Sequence, residues 1–408
     1  MRRRVAITGL GGITALGNDW PTIRASLAVG VTGIRRMDAW ERFTGIHTRL
    51  AAPVPADGRG EPFNRKKGRT MGEVARMAVR ATEAALHDAG LQGDPLIKGG
   101  RTGIAFGSSF GSPGPVLDFA ELMTHGTSST LNATSYIRMM SHTAAVNIGL
   151  HFGVTGRIIP TSSACTSGSQ AIGYAAEAIR YGLMDIMIAG GAEELDVTEA
   201  AVFDTLFATS VCNDRPHTSP RPFDRDRDGL VIGEGAGVLV LEEWDQAVAR
   251  GARIHAEVVG FATNSDGNHV TQPQAETMER ALRMALHDAS LPPEAIGFVN
   301  GHGTATEWGD IAESHATANL FGQHMPIHSL KSYFGHSLGA CGAIEAWLGI
   351  EMMRENWFCP TANLDNIDPR CAMLDYVVST PRVLHIEHLM SNNFAFGGIN
   401  TSMIIRRV

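Results

Sequence analysis

Cysteine is scarce in this chain of 408 residues, and long apolar runs are missing altogether. Its five cysteines (Cys165, Cys212, Cys341, Cys359 and Cys371) are odd in number, scattered and never spaced as CxxC. That pattern excludes a disulfide framework and a zinc site, so the expected setting is a reducing cytoplasm and no metal is expected. No run of about 18 apolar residues occurs, which excludes a helical membrane span. An excess of positive charge is also lacking. Lys and Arg number 34 against 42 Asp and Glu, for a net charge of −8, so neither nucleic acid nor an acidic membrane is an expected partner. The basic start MRRRVAITGLGGITALG superficially suggests a secretory signal, but Thr8, Gly9, Gly11 and Gly12 interrupt its apolar stretch. It reads instead as a first strand, Arg4–Thr8, followed by a glycine turn. The dinucleotide-binding fingerprint is incomplete there too, because its sixth position is Thr14 rather than Gly or Ala.

What is present is an ordinary globular composition, 44% apolar, long enough for two domains or one unit with two cores. One stretch organises the rest. Ile159–Gly182 reads IPTSSACTSGSQAIGYAAEAIRYG, a strand end that passes through small hydroxyl residues into apolar positions at helical spacing. Cys165 therefore stands where a strand turns into a helix. A helix start offers unpaired N–H groups and partial positive charge, which favour the nucleophilic thiolate. An inert, buried side chain is the commoner fate of a cytosolic cysteine, so context has to decide for the nucleophile.

The rest of the chain repeats itself. The amphipathic helix Gly72–Gly90 ends in Ala85-Leu86-His87-Asp88-Ala89, and Ala285-Leu286-His287-Asp288-Ala289 repeats that ending. A β-like segment follows each, Thr102–Phe106 and Ile296–Val299. The Cys165 helix has a counterpart in Ser337–Glu345, with Cys341 in a similar helix start. Such a duplication, with strands and helices alternating in each half, argues for an α/β fold of layered sheets and helices. The halves are expected to be residues 1–250 and 251–408, joined near Glu242–Ala256. Pro220–Gly229 places Asp224, Asp226, Asp228 and Gly229 at calcium-loop spacing, but the closing acid falls at Glu234, one residue early. It reads as a surface turn closed by Asp/Arg pairs. The basic cluster Arg65, Lys66, Lys67 and Arg69 reads as a solvated loop.

Three further segments carry polar residues among small ones. Asn300–Thr306 places His302 on a glycine turn at a strand's C-terminal end, the edge where open α/β sheets bind ligands. Ser329–His336 brings Lys331 and His336 ahead of the helix containing Glu345. Ser391–Asn400 is a glycine turn whose backbone can approach a ligand closely. A thiol nucleophile, two imidazoles, a lysine and exposed backbone N–H groups suit attack on a thioester, with fixed donors for the oxyanion and for an enolate.

These motifs resemble those of the β-ketoacyl-acyl carrier protein synthases of the thiolase superfamily: ACTSG around Cys165, HGT at His302, KS-x-x-GH from Lys331 to His336, and NNFAFGGIN near the C-terminus. The likeness runs the whole length and is nearest the type II synthases. It implies two βαβαβαββ halves in an α-β-α-β-α core and a decarboxylative Claisen condensation of malonyl-carrier protein with a Cys-bound acyl chain. Cys165 would be acylated, His302 and His336 would bind the malonyl thioester, and Lys331 would organise the site with Glu345. The N–H groups of Cys165 and Phe396 would form the oxyanion hole, with Phe396 gating access and Phe394, Gly397 and Gly398 supporting it. Thr271, Thr304 and Thr306 match positions that contact phosphopantetheine, and Phe110 and Phe203 match positions of the acyl pocket. Arg65, Lys66, Lys67 and Arg69 would dock the acyl carrier protein. No cofactor is implied beyond phosphopantetheine-borne substrates, and the assembly would be a homodimer or a heterodimer with a chain-length-factor subunit. Phe110, Phe334 and Glu307-Trp308 depart from the family pattern. Large aromatics near the tunnel would disfavour long saturated chains and suit unsaturated, aryl or short ones, as in aryl-polyene or polyketide-type pathways. A degradative thiolase is disfavoured because the C-terminal turn holds no second cysteine. A non-catalytic chain-length factor is disfavoured because the nucleophile is present, and a cysteine hydrolase because Lys331 and the second histidine would be idle.

Overall fold

The computed structural model describes residues 2–408. The first half runs β1 (Val5–Ile13), α1 (Glu73–Asp88), β2 (Thr102–Gly107), α2 (Thr143–Phe152), β3 (Ile158–Thr161), α3 (Ser167–Arg180), β4 (Ile186–Glu193), a short helix α4 (Val197–Asp204) and β5 (Gly235–Glu243). The second half repeats the order: β6 (Ala256–Ser265), α5 (Ala275–Ala289), β7 (Ile296–Asn300), α6 (Glu307–Phe321), β8 (Pro326–His328), α7 (Cys341–Glu355), β9 (His388–Phe394) and β10 (Ile399–Arg406). With α4, the further helices Trp20–Ala28, Val116–His125, Ala133–Met139, Trp244–Ala249 and Lys331–Phe334, and the short strands of the connecting loops set aside, each half is βαβαβαββ, as the resemblance implies.

Hydrogen bonding links the strands in the order Asp375–Tyr376, β8, β7, β9, β10, β6, β1, β5, β4, β2, β3. The order is a mirror about β1 and β6, which meet antiparallel at only Ala6↔Glu257 and Ile7↔Ala256. The sheet therefore divides into two leaves. Helices α3 and α7 lie between the leaves, α1 and α2 cover one outer face, and α5 and α6 cover the other. The largest apolar cluster fills the middle, with Ile172 and Ala176 of α3 and Trp347 and Leu348 of α7 packed among strand residues of both halves.

The expected turn at Gly9–Gly12 is not a turn. β1 continues buried to Ile13, paired with β5 from Val5↔Glu243 to Ile13↔Ala236. The glycines are there for close approach: a Cβ on Gly9 would stand 2.2 Å from the Ala85 carbonyl oxygen, and one on Gly12 2.1 Å from the Trp347 ring. The second half reproduces the first contact, since a Cβ on Gly260 would meet the Ala285 carbonyl at 2.6 Å. The repeated aspartates act alike. Leu10 N–H donates to Asp88 at 2.9 Å and Phe261 N–H donates to Asp288 at 3.0 Å.

Pro220–Gly229 also differs from expectation. Its acid–arginine pairing is present and its tip, Arg225 and Asp226, lies on the surface, but the flanks of the loop are buried. Asp224 is fully buried and accepts the N–H groups of Asp226, Asp365 and Asn366, each at 2.8 Å. Arg227 lies between Asp368, 2.6 Å away, and Asp310, 3.5 Å away. Paired in this way, buried charges are tolerated, and they clamp the loop to the segment that carries His302.

Candidate active site

The turn between β3 and α3 is braced by its own hydroxyls. Ser163 N–H donates to Ser167 Oγ at 2.9 Å, Ser167 Oγ donates to the Ala164 carbonyl at 2.7 Å, and Thr166 Oγ1 donates to the Ser163 carbonyl at 2.8 Å. Ala164 takes φ +50°, a left-handed conformation that L residues adopt only when the surroundings enforce it. Cys165 follows at once, buried, just ahead of α3.

His302 is held from its backbone. Two acids on α6 collect the N–H groups of its turn: Glu313 accepts from His302 at 2.6 Å and Gly303 at 2.7 Å, and Asp310 from Thr304 at 3.0 Å and Ala305 at 3.1 Å. Burial pushes Glu313 up to about 7 and Asp310 up to about 6, against the pull of those N–H groups. His336 projects from a turn whose Gly335 has φ +63°. Its Nε2 lies 2.9 Å from Cys165 Sγ, and its Nδ1 accepts the Leu338 N–H at 3.2 Å. A ring that accepts at Nδ1 carries its neutral-state proton on Nε2, so His336 presents an N–H to the sulfur.

The same reasoning fixes His302. Lys331 is ion-paired with Glu345, Glu345 accepts from Asn393 Nδ2 at 2.7 Å, and that amide nitrogen lies 3.3 Å from His302 Nδ1. A donating amide there leaves Nε2 as the N–H of His302. The two rings stand 5.2 Å apart and nearly perpendicular, and the ligand atoms of Cys165, His302 and His336 all lie within 4.8 Å of one another. Burial, then the Lys331 charge, pushes both imidazoles well below the ordinary histidine range, so they are neutral donors at neutral pH. Burial also opposes the Lys331 charge, yet Glu345 holds its ammonium above the ordinary lysine range.

Cys165 differs from the sequence expectation. Burial pushes its thiol up to about 11, outweighing the Phe396 N–H and the Lys331 charge that favour the thiolate. A helix start and two N–H donors do not compensate for removal of the sulfur from water.

A cavity of about 470 Å³ opens beside Cys165, His302 and His336. Phe203, Phe207, Trp308, Phe394 and Phe396 give it aromatic walls, and Thr271, Thr304 and Thr306 also line it. The Phe396 ring meets Phe203 edge-on at 5.8 Å. Gly397 and Gly398, at φ +93° and +76°, form the turn between β9 and β10 that brings the Phe396 N–H to the sulfur. Other predicted residues lie elsewhere. Phe110, 44% exposed, is not on this wall, and Phe334 is buried in the central core beside Tyr333, so neither narrows the cavity. Arg65, Lys66, Lys67 and Arg69 are exposed on the loop ahead of α1, away from the cavity lining. Sequence reasoning missed Glu313, Asp310, Asn393 and Arg227. The signal for the acids was available: a Glu/Asp pair spaced i, i+3 on the helix after a glycine turn faces one side.

The family profiles "Beta-ketoacyl synthase, N-terminal domain" and "C-terminal domain" match residues 2–247 and 255–365. The chain is 35% identical to 3-oxoacyl-acyl-carrier-protein synthase 2 of Vibrio cholerae, with 100% of both sequences covered. It is also 35% identical to synthase 1 of Escherichia coli, with 100% of this chain and 99% of that protein covered. Among solved structures, a beta-ketoacyl synthase from Burkholderia phymatum superposes with TM-score 0.98 at 58% identity, covering all of both chains. The ishigamide ketosynthase/chain length factor superposes at 0.89 with 31% identity, again over all of both chains. A type II polyketide ketosynthase solved with its acyl-carrier protein also reaches 0.89, at 30% identity and full coverage.

Proposed function

The chain belongs to the beta-ketoacyl synthase family of condensing enzymes, and from that premise we propose how its own residues divide the reaction. Cys165 Sγ attacks the acyl thioester of an acyl carrier protein, and the N–H groups of Cys165 and Phe396 donate to the oxyanion that forms. The phosphopantetheine thiol leaves with the proton that Cys165 gives up, and the acyl group stays on the enzyme. Malonyl-carrier protein then binds with its thioester carbonyl against the Nε2–H groups of His302 and His336. The bond to its carboxylate breaks, carbon dioxide leaves, and the electron pair moves to the carbonyl as an enolate. The enolate carbon attacks the Cys165 thioester, a carbon–carbon bond forms, and Sγ leaves.

Neutral imidazoles suit this step, because the enolate needs donors rather than a proton source. The Lys331–Glu345–Asn393 chain holds His302 in the donating tautomer and is a positioning device. Thr271, Thr304 and Thr306 would contact the phosphopantetheine arm, and Arg65, Lys66, Lys67 and Arg69 would receive the acidic carrier protein. No cofactor enters the scheme. The exposed edge of β3, with Ile158 40% exposed, supports pairing with a second subunit, either another copy or a chain-length factor. We place the reaction in the cytoplasm because every cysteine is a free thiol, and residues 1–250 and 251–408 as the two halves. Aromatic cavity walls favour unsaturated or aryl acyl groups of the polyketide type over long saturated chains.

The observation that carries the reading is the Cys165 sulfur facing a neutral His336 N–H at the cavity that His302 also lines. Intact-mass measurement after incubation with acyl-carrier proteins of varied chain type tests it. One acyl adduct that disappears in Cys165→Ala is expected. No adduct from any donor, or an adduct that survives the substitution, would overturn it.

A further inference from the structure

Phe207 occupies a position that is unfavourable to the free protein in two ways. The chain leaves α4 by a turn in which Phe207 N–H donates to the Asp204 carbonyl at 2.9 Å and Ala208 N–H donates to the Phe203 carbonyl at 3.0 Å, with Phe207 at φ +54°. This is the left-handed end of a helix, where glycine is the unstrained residue and a bulky side chain is an outlier. Two other bulky residues with positive φ, Phe223 and Leu338, are buried, so packing offsets their strain. Phe207 is instead 83% exposed, and its ring centre lies 6.2 Å from that of His47, itself on the surface. The turn is nevertheless fixed. Asp204 accepts the N–H groups of His47 and Thr48 at 2.8 and 3.0 Å and the Thr209 hydroxyl at 2.8 Å, and the Ala208 carbonyl accepts the Leu230 N–H at 2.8 Å. A ring that is strained, rigidly held and open to solvent points to a contact made in function rather than in the core.

The place of the ring narrows what it meets. Phe207 lines the cavity that holds Cys165, and so do Leu206, Val270 and Trp308, all of them exposed as well. These four side chains give the mouth an apolar collar, and exposed apolar groups gathered round one opening mark a contact surface. The acyl donors of the reaction above reach Cys165 through this mouth on a phosphopantetheine arm. The arm brings the carrier protein that bears it up against the collar. The basic cluster 65–69 lies on the loop ahead of α1, away from the cavity lining, so it is a separate contact whose attraction weakens with salt. An apolar contact at the mouth is not screened in that way.

We propose that Phe207 is an apolar anchor for the carrier protein: its ring packs against an apolar patch of the carrier beside the attachment point of the arm, and so seats the arm for transfer to Cys165. The proposal rests on the condensing reading above. The test follows Cys165 acylation, by intact mass, from cinnamoyl and hexanoyl groups carried either on acyl carrier protein or on N-acetylcysteamine, which offers the same thioester without the protein. In Phe207→Gly and Phe207→Ala the half-saturating concentration of the carrier-borne donor is expected to rise about tenfold more than that of the small thioester, by the same factor at low and high salt. Phe207→Leu should keep most of the carrier preference. Phe207→Gly should also melt above both the wild type and Phe207→Ala, because glycine alone relieves the backbone. Where a small thioester labels too slowly to compare, the affinity for unacylated carrier protein decides, with a fall of about tenfold expected in both variants. Equal losses with the two kinds of donor, no loss with either, or a lower melting temperature in Phe207→Gly would each overturn the proposal. A change in the sedimentation of the free protein on removal of the ring would assign it to a contact between copies and would overturn it as well. Labelling of the wild type by no donor would refute the condensing reading and the proposal with it, a result distinct from labelling that does not depend on Phe207.

Discussion

Helices α3 and α7 occupy equivalent places in the two halves, yet only the first delivers a reactive group to the cavity. Each is preceded by one residue in the left-handed region, Ala164 at φ +50° before Ser167 and Leu338 at φ +43° before Cys341. Aligned on that feature, the twin of Cys165 is Gly339, and the twin of Cys341 is Ser167. The cysteine that sequence similarity pairs with the nucleophile is thus displaced from its position. A Cβ on Gly339 would lie 2.7 Å from both Glu193 Oε2 and Ser109 N, so the loop that Glu193 holds through Ser108 and Ser109 fills the space where a second reactive side chain would project. Cys341 instead donates its S–H to the Cys165 carbonyl at 3.2 Å. Duplication supplied two frames, and the occupants of equivalent positions decide which frame reacts.

The largest expected difference follows from those two cysteines. Cys165→Ala should lower acyl transfer from carrier protein by at least about a thousandfold, as loss of a nucleophile does. Cys341→Ala removes one thiol hydrogen bond and should cost less than about tenfold. Parallel rate measurements check this, and equal losses would mean that both helix starts are catalytic. The next effect belongs to the second half alone. Lys331→Met leaves the buried Glu345 carboxyl without its cation and should lower stability by about 3–5 kcal/mol in urea unfolding. Adding Glu345→Leu should recover most of that loss, and no recovery would show that the pair is not what stabilises this region.

Much of this was readable in the residues, for identifiable reasons. Cys165 and His302 sit in turns of small residues next to apolar strands, a pattern that survives without knowledge of packing, whereas the roles of Lys331 and Phe396 are implied by the resemblance of their motifs to the family. The repeated Ala-Leu-His-Asp-Ala ending exposed the duplication, and both copies do the same work against Gly9 and Gly260. What stayed hidden depends on long-range burial. Asp310 and Glu313 look like a solvated helix face until the fold encloses them. Gly9–Gly12 reads locally as a turn, because nothing in the segment reveals the helix that packs against it. The helix start of Cys165 by itself favours the thiolate, and only burial of the sulfur in the fold reverses that balance.

The titration of the site gives a smaller, graded effect. The unfolded chain takes up protons on His302 and His336 near pH 6.5, while the native state resists them because both are depressed. Their contribution to stability is present above that pH and is lost as pH falls toward their native values, by up to about 1.4 kcal/mol per pH unit for each imidazole. The stability difference between wild type and His302→Asn/His336→Asn should therefore shift against the wild type between pH 6.5 and 5, followed by urea midpoints. Cys165→Ala, in the first half, should leave the acid slope unchanged. A slope that does not depend on the histidines would mean that they are already charged in the native state.

The smallest expected difference lies between the duplicated aspartates. Both anchor a strand N–H, but their other partners differ: Asp288 pairs with Arg180 at 2.5 Å and Arg2 at 2.7 Å, whereas Asp88 faces His255 Nε2 at 2.7 Å. Asparagine keeps the acceptor for the strand N–H in both halves and removes only the charge. In Asp288→Asn the Arg180 guanidinium, whose side chain is 8% exposed, loses its carboxylate, and a charge-assisted bond is about twice as strong as a neutral one. Asp88→Asn gives up a contact with one imidazole rather than with two guanidinium groups. Asp288→Asn should therefore cost about 1–2 kcal/mol and Asp88→Asn about half of that, measured by urea unfolding at pH 7. Equal costs would show that the strand N–H, identical in the two halves, carries the whole effect, and a larger cost at Asp88 would reverse the ranking of the two anchors.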